Sequence, residues 1–453
     1  MFKPSFTIQE LIEITQGELV GNIDKTISLT ISTDTRTITE TDCYLAICGA
    51  NFDGHNFVEV AFNSNSKLAI IDENHKDLAN KITGNFLVVK NTLEAYLSIA
   101  KFHKNRCNVK IIGVTGSSGK TTTKEFLFSV FNGFAKTKKS IKNHNNEIGL
   151  CQTLLSIEPD TEFCIVEMGM RALGEIDLLA KYATPDVAII TNAGTAHIGI
   201  LGSRENIAKA KCEITNYLTK QDVFIAHNED LIKETINQKY NSNPEFETVF
   251  YDLSQVNVLE KTENSCKFEY DNFVFEIPDS ADFNILNALA AINAAKSQNY
   301  TYNEIQKGLL EFKNIEFRNE ITVLKNGATV ISDCYNANPE SATASIKHIC
   351  ETYKNKEIVI VFGDMFELGE FEESYHREIG KLINQLNVNY FVSVGKLAKI
   401  TSEEVQNINK KSFDTLEAAA EFLTTIADNN TLIFLKASRG MKFENILEII
   451  KEK

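Results

Sequence analysis

The sequence predicts an α/β protein of three domains: a small N-terminal α/β domain, a central parallel-sheet domain with a small antiparallel addition, and a C-terminal Rossmann-like domain. Three observations carry this. The 453 residues suggest about three cores at the usual ~150 residues per domain. From Val109 onward, short apolar runs alternate with helical patterns, the signature of parallel strands joined by crossover helices. That alternation breaks off once, over 247–278, and restarts near Thr329. The expected boundaries are 1–88, 89–314 and 315–453.

The elements follow in order. The first 88 residues mix strand and helix signals with turn clusters and form the least legible part. Next come the apolar runs 110–115, 163–167, 186–191 and 222–226, with helical patterns at 173–182 and 204–218. These runs are apolar throughout rather than alternating, as strands covered on both faces are. Segments 248–251 and 267–277 read as antiparallel strands, and an alanine- and asparagine-rich helix follows at 281–297. A second βα series has strands at 329–333, 357–362, 390–394 and 431–435. After the first of these, Pro339 marks a helix start, where its fixed φ and missing N–H are tolerated.

Composition narrows the class. Hydrophobic content of 43% and charged content of 24% belong to a soluble globular protein. A net charge of −15 argues against a general nucleic-acid surface. The nine cysteines are an odd number and contain no C-x-x-C pair, which argues against a disulfide framework and a zinc site and for reduced thiols in the cytoplasm. No N-terminal run has signal-peptide length, and no stretch approaches the ~18 apolar residues of a membrane span.

The densest chemical signal is Lys110-Ile-Ile-Gly-Val-Thr-Gly-Ser-Ser-Gly-Lys-Thr-Thr-Thr-Lys124, a buried strand, a glycine turn and a helix start. Such a turn aims backbone N–H groups and the positive end of a helix dipole at one point. Lys120 adds a cation, and Thr121 a hydroxyl suited to Mg²⁺. The ordinary phosphate loop is G-x-x-x-x-G-K-[ST], but Val114 stands where its first glycine would be. The pattern here is the tighter Gly116-x-x-Gly119-Lys120-Thr121-Thr122. A strand–turn–helix linker with chance glycines is the bland alternative, and the order of strand, glycines, lysine and threonines speaks against it.

Ligands of open α/β sheets sit beyond the carboxyl ends of the strands, so the polar residues there carry the next candidates. Glu167 closes one strand and can bind Mg²⁺ directly or through water; alone it reads equally as a solvated acid. His197 lies in the loop Thr191-Asn-Ala-Gly-Thr-Ala-His197, within reach of a metal or phosphate, although a lone histidine is commonly structural. Lys209 and Lys211 stand two apart on a helix and point to different faces, so one can be solvated and the other turned inward. Asn284 and Asn287 share a helix face and pair well with adenine edges, or serve as a cap and a surface residue. Asp333 closes the first strand of the last series, where acids bind ribose hydroxyls. Gly363-Asp364 and Lys436-Ala-Ser-Arg439 lie at comparable strand ends, and converging loops of this kind form a binding crevice.

Taken together, these strings resemble the Mur ligase family, the ATP-dependent amide ligases of peptidoglycan synthesis. The resemblance rests on Thr115-Gly-Ser-Ser-Gly-Lys-Thr-Thr-Thr-Lys-Glu125, Asn143-His-Asn-Asn-Glu-Ile-Gly149, Glu167-Met-Gly-Met170, the loop ending at His197 and Ala208-Lys-Ala-Lys211. It continues through Asp333-Cys-Tyr-Asn-Ala-Asn-Pro339, Gly363-Asp-Met-Phe-Glu-Leu-Gly369, His376-Arg-Glu-Ile-Gly380 and Ser438-Arg-Gly-Met441, so it covers essentially the whole chain in order. It implies a UDP-sugar domain, a central ATP-binding P-loop domain and a C-terminal domain for the incoming amine. It also implies joining of D-alanyl-D-alanine to UDP-N-acetylmuramoyl-tripeptide through an acyl phosphate, by a cytoplasmic monomer that helps to build the cell wall and so bears on cell shape and division.

By matched position, the resemblance places ATP on Thr115, Gly116, Ser117, Ser118, Gly119, Lys120, Thr121 and Thr122. Lys120 would hold the β- and γ-phosphates. Thr121 and Glu167 would bind Mg²⁺, and His197 a second Mg²⁺. Lys211 matches a lysine that carries a carbamate in relatives, an extra anionic metal ligand. Lys120, Glu167, His197 and Lys211 form the implied catalytic set. Asn284 and Asn287 would lie at the adenine, and Arg318 and Asp333 would reach phosphates and ribose. Asn145 and Asn146 would lie near the muramyl-peptide, and Asn338, Asp364, Ser438 and Arg439 would shape the dipeptide site.

Ser32-Thr-Asp34-Thr35-Arg36 resembles the family's uridine-binding Asp-Ser-Arg segment, with Thr35 keeping the hydroxyl. Ala437 stands where a glycine is usual, and Gly49-Ala-Asn-Phe-Asp-Gly-His55 lacks charged residues common in the matching loop.

Three alternatives stay open at this point. The first two are another Mur-type ligase and a folylpolyglutamate-type ligase. The third, from a different class, is a P-loop regulatory ATPase. Folylpolyglutamate synthases start close to their P-loop, whereas 109 residues precede Lys110 here. Ligases adding the third residue carry an Asp-Asn-Pro-Arg string that this chain lacks. A regulatory ATPase needs no second Rossmann-like domain.

Overall fold

In the computed structural model, which describes residues 2–49, 52–313 and 318–452, three separate six-stranded sheets follow one another along the chain. The first has the order Ser5–Thr7, Ser28–Ser32, Asp42–Leu45, Leu68–Asp72, Phe86–Val89 and Glu18–Val20. Its four inner strands are parallel and the two short edge strands antiparallel. The last inner strand runs to Val89, one residue past the expected boundary at 88. Helix Thr92–Cys107 then packs against helix Ile8–Thr15 of the same unit as well as against the central one.

The central sheet is parallel throughout, in the order Thr137–Lys139, Phe163–Glu167, Lys110–Thr115, Val187–Ile190, Val223–His227 and Glu247–Tyr251. Here one expectation fails. Segment 248–251 is not antiparallel but the sixth parallel strand, paired to Val223–His227. It lies at the sheet's edge with mostly half-buried side chains, so it lacks the uniformly apolar signature of a covered strand. The antiparallel addition is a separate three-stranded sheet, Asn257–Lys261, Cys266–Tyr270 and Phe273–Ile277.

Helix Asp282–Ser297 is buried along most of its length because alanine lets its neighbours approach closely, and it packs on helix Lys120–Asn132 behind the glycine turn. A Cβ on Gly308, in the following helix, would come within 2.3 Å of Val130 Cα, so that crossing also depends on having no side chain.

The third sheet has the order Glu320–Val323, Thr329–Asp333, Thr431–Lys436, Glu357–Gly363, Tyr390–Val394 and Asn409–Phe413. Five strands are parallel, and only Glu320–Val323 is antiparallel. Both edge strands escape a reading of hydrophobic pattern. Asn-Lys-Lys-Ser-Phe at 409–413 is mostly exposed, and an edge strand needs only a partner for its backbone. The boundary expected between 314 and 315 lies outside the described residues.

Candidate active site

The glycine turn leaves the carboxyl end of the central sheet's strand Lys110–Thr115 and opens helix Lys120–Asn132. Gly116 has φ +154° and Gly119 φ +80°, both in the region glycine tolerates. A Cβ on Gly116 would fall 1.8 Å from Thr191 Oγ1, and one on Gly119 2.5 Å from Asn287 Oδ1, so neighbours crowd the turn from both sides. The N–H groups of Ser117 and Ser118 both donate to Asn192 Oδ1, at 3.0 and 2.9 Å. Asn192 Nδ2 in turn donates to Ser118 Oγ at 3.0 Å. Asn192 therefore braces the turn; it sits in the quoted loop string, yet nothing in its spacing singles it out.

Lys120 folds back and donates to Gly116 O at 2.7 Å. Burial holds its ammonium below the ordinary lysine range, with Glu167 opposing that shift and Arg318 adding to it.

Around this turn lies a cleft of about 1060 Å³ between the central and C-terminal sheets. It is lined by residues 116–122 and by Asn145, Asn146, Glu167, His197, Lys211, Asn284, Asn287, Arg318, Asp333, Asn338, Ser438 and Arg439. Most of the expected site residues, scattered over more than 300 positions, thus meet in one place. Thr115 is the buried strand end beneath, and its backbone carbonyl accepts from the Thr191 N–H at 3.0 Å.

Asp364 does not line the cleft. Its Oδ1 accepts the Ala398 N–H at 2.8 Å and holds the start of helix Lys396–Glu404. Ser32, Asp34, Thr35 and Arg36 also lie elsewhere, at the end of strand Ser28–Ser32 in the first sheet. There Arg36 donates to Asp34 at 2.7 Å and holds its carboxyl down to about 2.

Glu167, 3% exposed, ends its strand at the cleft floor. Its Oε1 accepts from Asn145 Nδ2 at 3.1 Å, and its Oε2 lies 3.3 Å from Lys124 Nζ. Lys124 is itself 1% exposed, donates to Lys142 O at 3.0 Å and stands 3.7 Å from Glu125 Oε1. Sequence reasoning passed over Lys124. The available signal was its place four residues after Lys120, on the same helix face.

His197 has φ +66°, and its Nδ1 lies 2.7 Å from Glu367 Oε2 of the C-terminal unit. Of the two lysines on helix Arg204–Cys212, Lys209 is exposed while Lys211 is 2% exposed. Burial first, and then the charge of Lys120, push the Lys211 amine well below its usual range.

The two asparagines of the buried helix are coupled: Asn287 Nδ2 donates to Asn284 Oδ1 at 2.9 Å, and Thr123 donates to Asn287 Oδ1 at 3.1 Å.

The C-terminal unit reaches across the cleft. Arg318 Nη2 donates to Thr121 Oγ1 at 3.0 Å while its guanidinium lies 4.5 Å over the Tyr335 ring. Glu340 accepts from both the Thr195 N–H, at 3.0 Å, and its hydroxyl, at 2.7 Å. Asn338 caps helix Pro339–Thr352. Asp333 accepts from Lys436 Nζ at 2.7 Å and Ser345 Oγ at 2.9 Å. Ser438 Oγ accepts the Phe366 N–H at 2.9 Å, and Arg439 donates to Glu444 at 2.8 Å.

Comparison with known proteins agrees with this geometry. Residues 114–295 match the Mur ligase middle domain, and 317–439 match the Mur ligase, glutamate ligase domain. A UDP-N-acetylmuramoyl-tripeptide–D-alanyl-D-alanine ligase of Bacillus subtilis is 34% identical over 98% of both chains. The chain belongs to the Mur ligase family. Among solved structures, this Mur ligase is similar to MurF from Acinetobacter baumannii, with a TM-score of 0.91, 29% identity and full coverage of both chains. It is also similar to MurF from Thermotoga maritima in complex with ADP, with a TM-score of 0.81, 26% identity and coverage of 93% of this chain and 97% of that one. As a family member it is an ATP-dependent, ADP-forming ligase of peptidoglycan synthesis. Among the described residues no helix is long and apolar enough to cross a membrane.

Proposed function

We propose that this Mur ligase joins the amine of D-alanyl-D-alanine to the terminal carboxylate of UDP-N-acetylmuramoyl-tripeptide, with ATP cleaved to ADP and phosphate. The observation that carries this reading is the meeting, in one cleft, of the glycine turn with the strand ends of the C-terminal sheet, in a chain similar over its full length to ligases of that name. On this reading residues 1–88 hold the UDP-sugar, through Ser32, Asp34, Thr35 and Arg36. Residues 89–314 hold ATP and 315–453 the dipeptide, and the enzyme works as a cytoplasmic monomer.

A carboxylate is a poor electrophile with a poor leaving group. Its oxygen therefore first attacks the γ-phosphorus of ATP, the bond to ADP breaks, and an acyl phosphate forms. The dipeptide amine then attacks the acyl carbon, and the tetrahedral intermediate collapses to amide and phosphate. Lys120 and the helix start behind it stabilise the charge spreading over the transferred phosphoryl group. Arg318 brings a second cation to Thr121 from the facing unit. Asn284 and Asn287 turn paired amides toward the adenine, and Asp333 presents its carboxylate to the ribose. Asn145 and Asn146 hold the muramyl-peptide. Asn338, Ser438 and Arg439 frame the dipeptide, with Asp364 supporting that wall from behind. Acyl phosphates hydrolyse readily, so the contacts of Glu340 and Glu367 across the cleft keep water from the intermediate.

The residues present fit Mg²⁺. Glu167 Oε2 is buried and accepts no hydrogen bond among the described residues, and Thr121 offers a hydroxyl in the same cleft. Both are the hard oxygen donors Mg²⁺ takes. A bound Mg²⁺ would neutralise phosphate charge there, and His197 Nε2 would serve a second ion. Burial favours the neutral form of the Lys211 amine, the form whose lone pair adds to CO₂ to give a carbamate and release a proton.

The test is ADP release by the purified chain with each substrate withheld in turn. Release that requires both UDP-muramyl-tripeptide and D-alanyl-D-alanine supports the reading, and equal release without them overturns it. Running diaminopimelate- and lysine-containing tripeptides side by side identifies the third residue.

A further inference from the structure

The central and C-terminal units meet through two glycines as well as through side chains. Gly199 stands in the short helix Ile198–Leu201, directly after His197 and one residue on. Gly369 opens the turn Gly369–Phe371, two residues after Glu367. A Cβ on Gly199 would fall 2.5 Å from Gly369 N and 2.8 Å from Leu368 C, and one on Gly369 would fall 2.7 Å from Gly199 Cα. The Gly199 N–H donates to Glu367 O at 3.1 Å, so here backbone lies on backbone.

What crowds Gly199 matters as much as how closely. Outside its own helix, the three atoms nearest to that Cβ all belong to the C-terminal unit. Gly199 is helical, and alanine is a better helix former than glycine, so the central unit by itself tolerates a side chain there. Only the docked arrangement excludes one. Gly194, in the same loop, shows a weaker form of this: a Cβ there would lie 2.9 Å from Glu340 Cδ, which a flexible side chain can relieve. Backbone cannot yield in that way.

We propose that Gly199 and Gly369 are positioning residues for the ligation: they let the C-terminal unit close far enough for Glu367 to set His197 in the cleft. Glu367 Oε2 lies 2.7 Å from His197 Nδ1, and both residues line the cleft. His197 holds φ +66° and Glu367 φ +65°. Left-handed backbone is uncommon outside glycine and persists where the surroundings fix it. Here each turn is the other's surroundings. The bond from the Gly199 N–H ends on the carbonyl of Glu367, and Leu368 is buried in the same apolar cluster as Ile198.

Closure and the placing of His197 are therefore one event. A chain held ajar keeps each substrate on its own unit but leaves His197 out of line with Lys120 and the transferred phosphoryl group. The size of the effect follows from the contact. Carbon atoms pack at about 3.5–4.0 Å, so a methyl group on Gly199 pushes the facing turn back by roughly 1 Å. A misplacement of about 1 Å costs up to ~10²-fold in rate.

This role rests on the ligase reading, and one assay separates the two. Full-length Gly199→Ala and Gly369→Ala are compared with the parent for kcat, for KM of all three substrates, for ADP affinity and melting temperature, and for phosphate released per amide formed. Gly369→Ala also strains its own φ of +58°, so Gly199→Ala is the deciding variant. We expect Gly199→Ala to lower kcat at least ~10-fold while ADP affinity and melting temperature stay those of the parent. Phosphate release should exceed amide formation, because an ajar cleft admits water to the acyl phosphate. A kcat within twofold of the parent, or a loss of kcat matched by an equal loss of ADP affinity, overturns the proposal. A parent that forms no amide from UDP-muramyl-tripeptide and D-alanyl-D-alanine overturns the ligase reading itself.

Discussion

Replacing Lys124 by methionine keeps the length of the side chain and removes its charge, which isolates what that charge does for Glu167. The separation of 3.3 Å between Lys124 Nζ and Glu167 Oε2 corresponds to ~5 kcal/mol of attraction at an effective dielectric of about 20. Relief of the lysine's own burial offsets part of that, and breaking a buried pair from one side typically costs about 3–5 kcal/mol. For a unit the size of the central one, a loss in that range lowers the melting transition by roughly 10 °C.

Glu167 keeps its bond from Asn145, so the carboxylate stays in place with less neutralisation. Mg²⁺ then binds it more tightly and restores part of the lost stability. Calorimetry with and without Mg²⁺, on Lys124→Met, Glu167→Gln and the double variant, measures both effects. The double variant should cost at least ~1 kcal/mol less than the sum of the two singles, because the pair interaction is lost only once. A melt within about 2 °C of the parent, or strictly additive losses, would refute the assignment of Lys124 as the counter-charge of Glu167.

Three further outcomes are expected. Lys120→Ala leaves UDP-substrate binding largely intact but lowers ligation by at least ~10³-fold, the scale of removing a group that meets developing charge; substantial phosphate release with both substrates present would count against it. Lys211→Met abolishes ligation yet raises the melting temperature at pH 7 in CO₂-depleted buffer. The sign follows from Lys211's depressed pKa: below the ordinary lysine range the unfolded chain binds a proton that the folded chain resists, so folding is penalised there and the penalty fades as pH rises toward that range. The variant's advantage should therefore shrink with rising pH, and a constant difference between pH 7 and pH 10 would contradict it. Glu340→Ala removes the two bonds to Thr195, each worth about 1.5–3 kcal/mol as a charge-assisted bond, and lets the C-terminal unit move away from the central one; small-angle scattering should report a larger radius of gyration than the parent.

Much of this was legible in the residues themselves. Parallel strands covered on both faces have no choice but to be apolar throughout, so 163–167, 357–362 and 431–435 stand out in the sequence. Edge strands did not: Asn409–Phe413 is polar and exposed, and Glu247–Tyr251 resembled an antiparallel strand because one side of its ladder is open. Among site residues, those that interrupt an apolar strand or crowd a glycine turn were visible. Those that support them from a distance were not. Asn192 and Lys124 are ordinary residues in sequence and acquire meaning only from a carboxylate or an amide placed beside them by another element.

By itself, the sequence determined the three-part organisation, the glycine turn with its lysine, and the polar residues that end buried strands, because local backbone geometry and burial dictate those residue types. The tertiary structure alone decided which of these share one cleft. It placed Arg318 on Thr121 and Glu340 on Thr195, turned Lys211 inward and Lys209 out, and set Asp364 behind the wall rather than in it. Those contacts join residues far apart along the chain or in different units, and their strength comes from burial and close approach, which pattern and spacing do not encode.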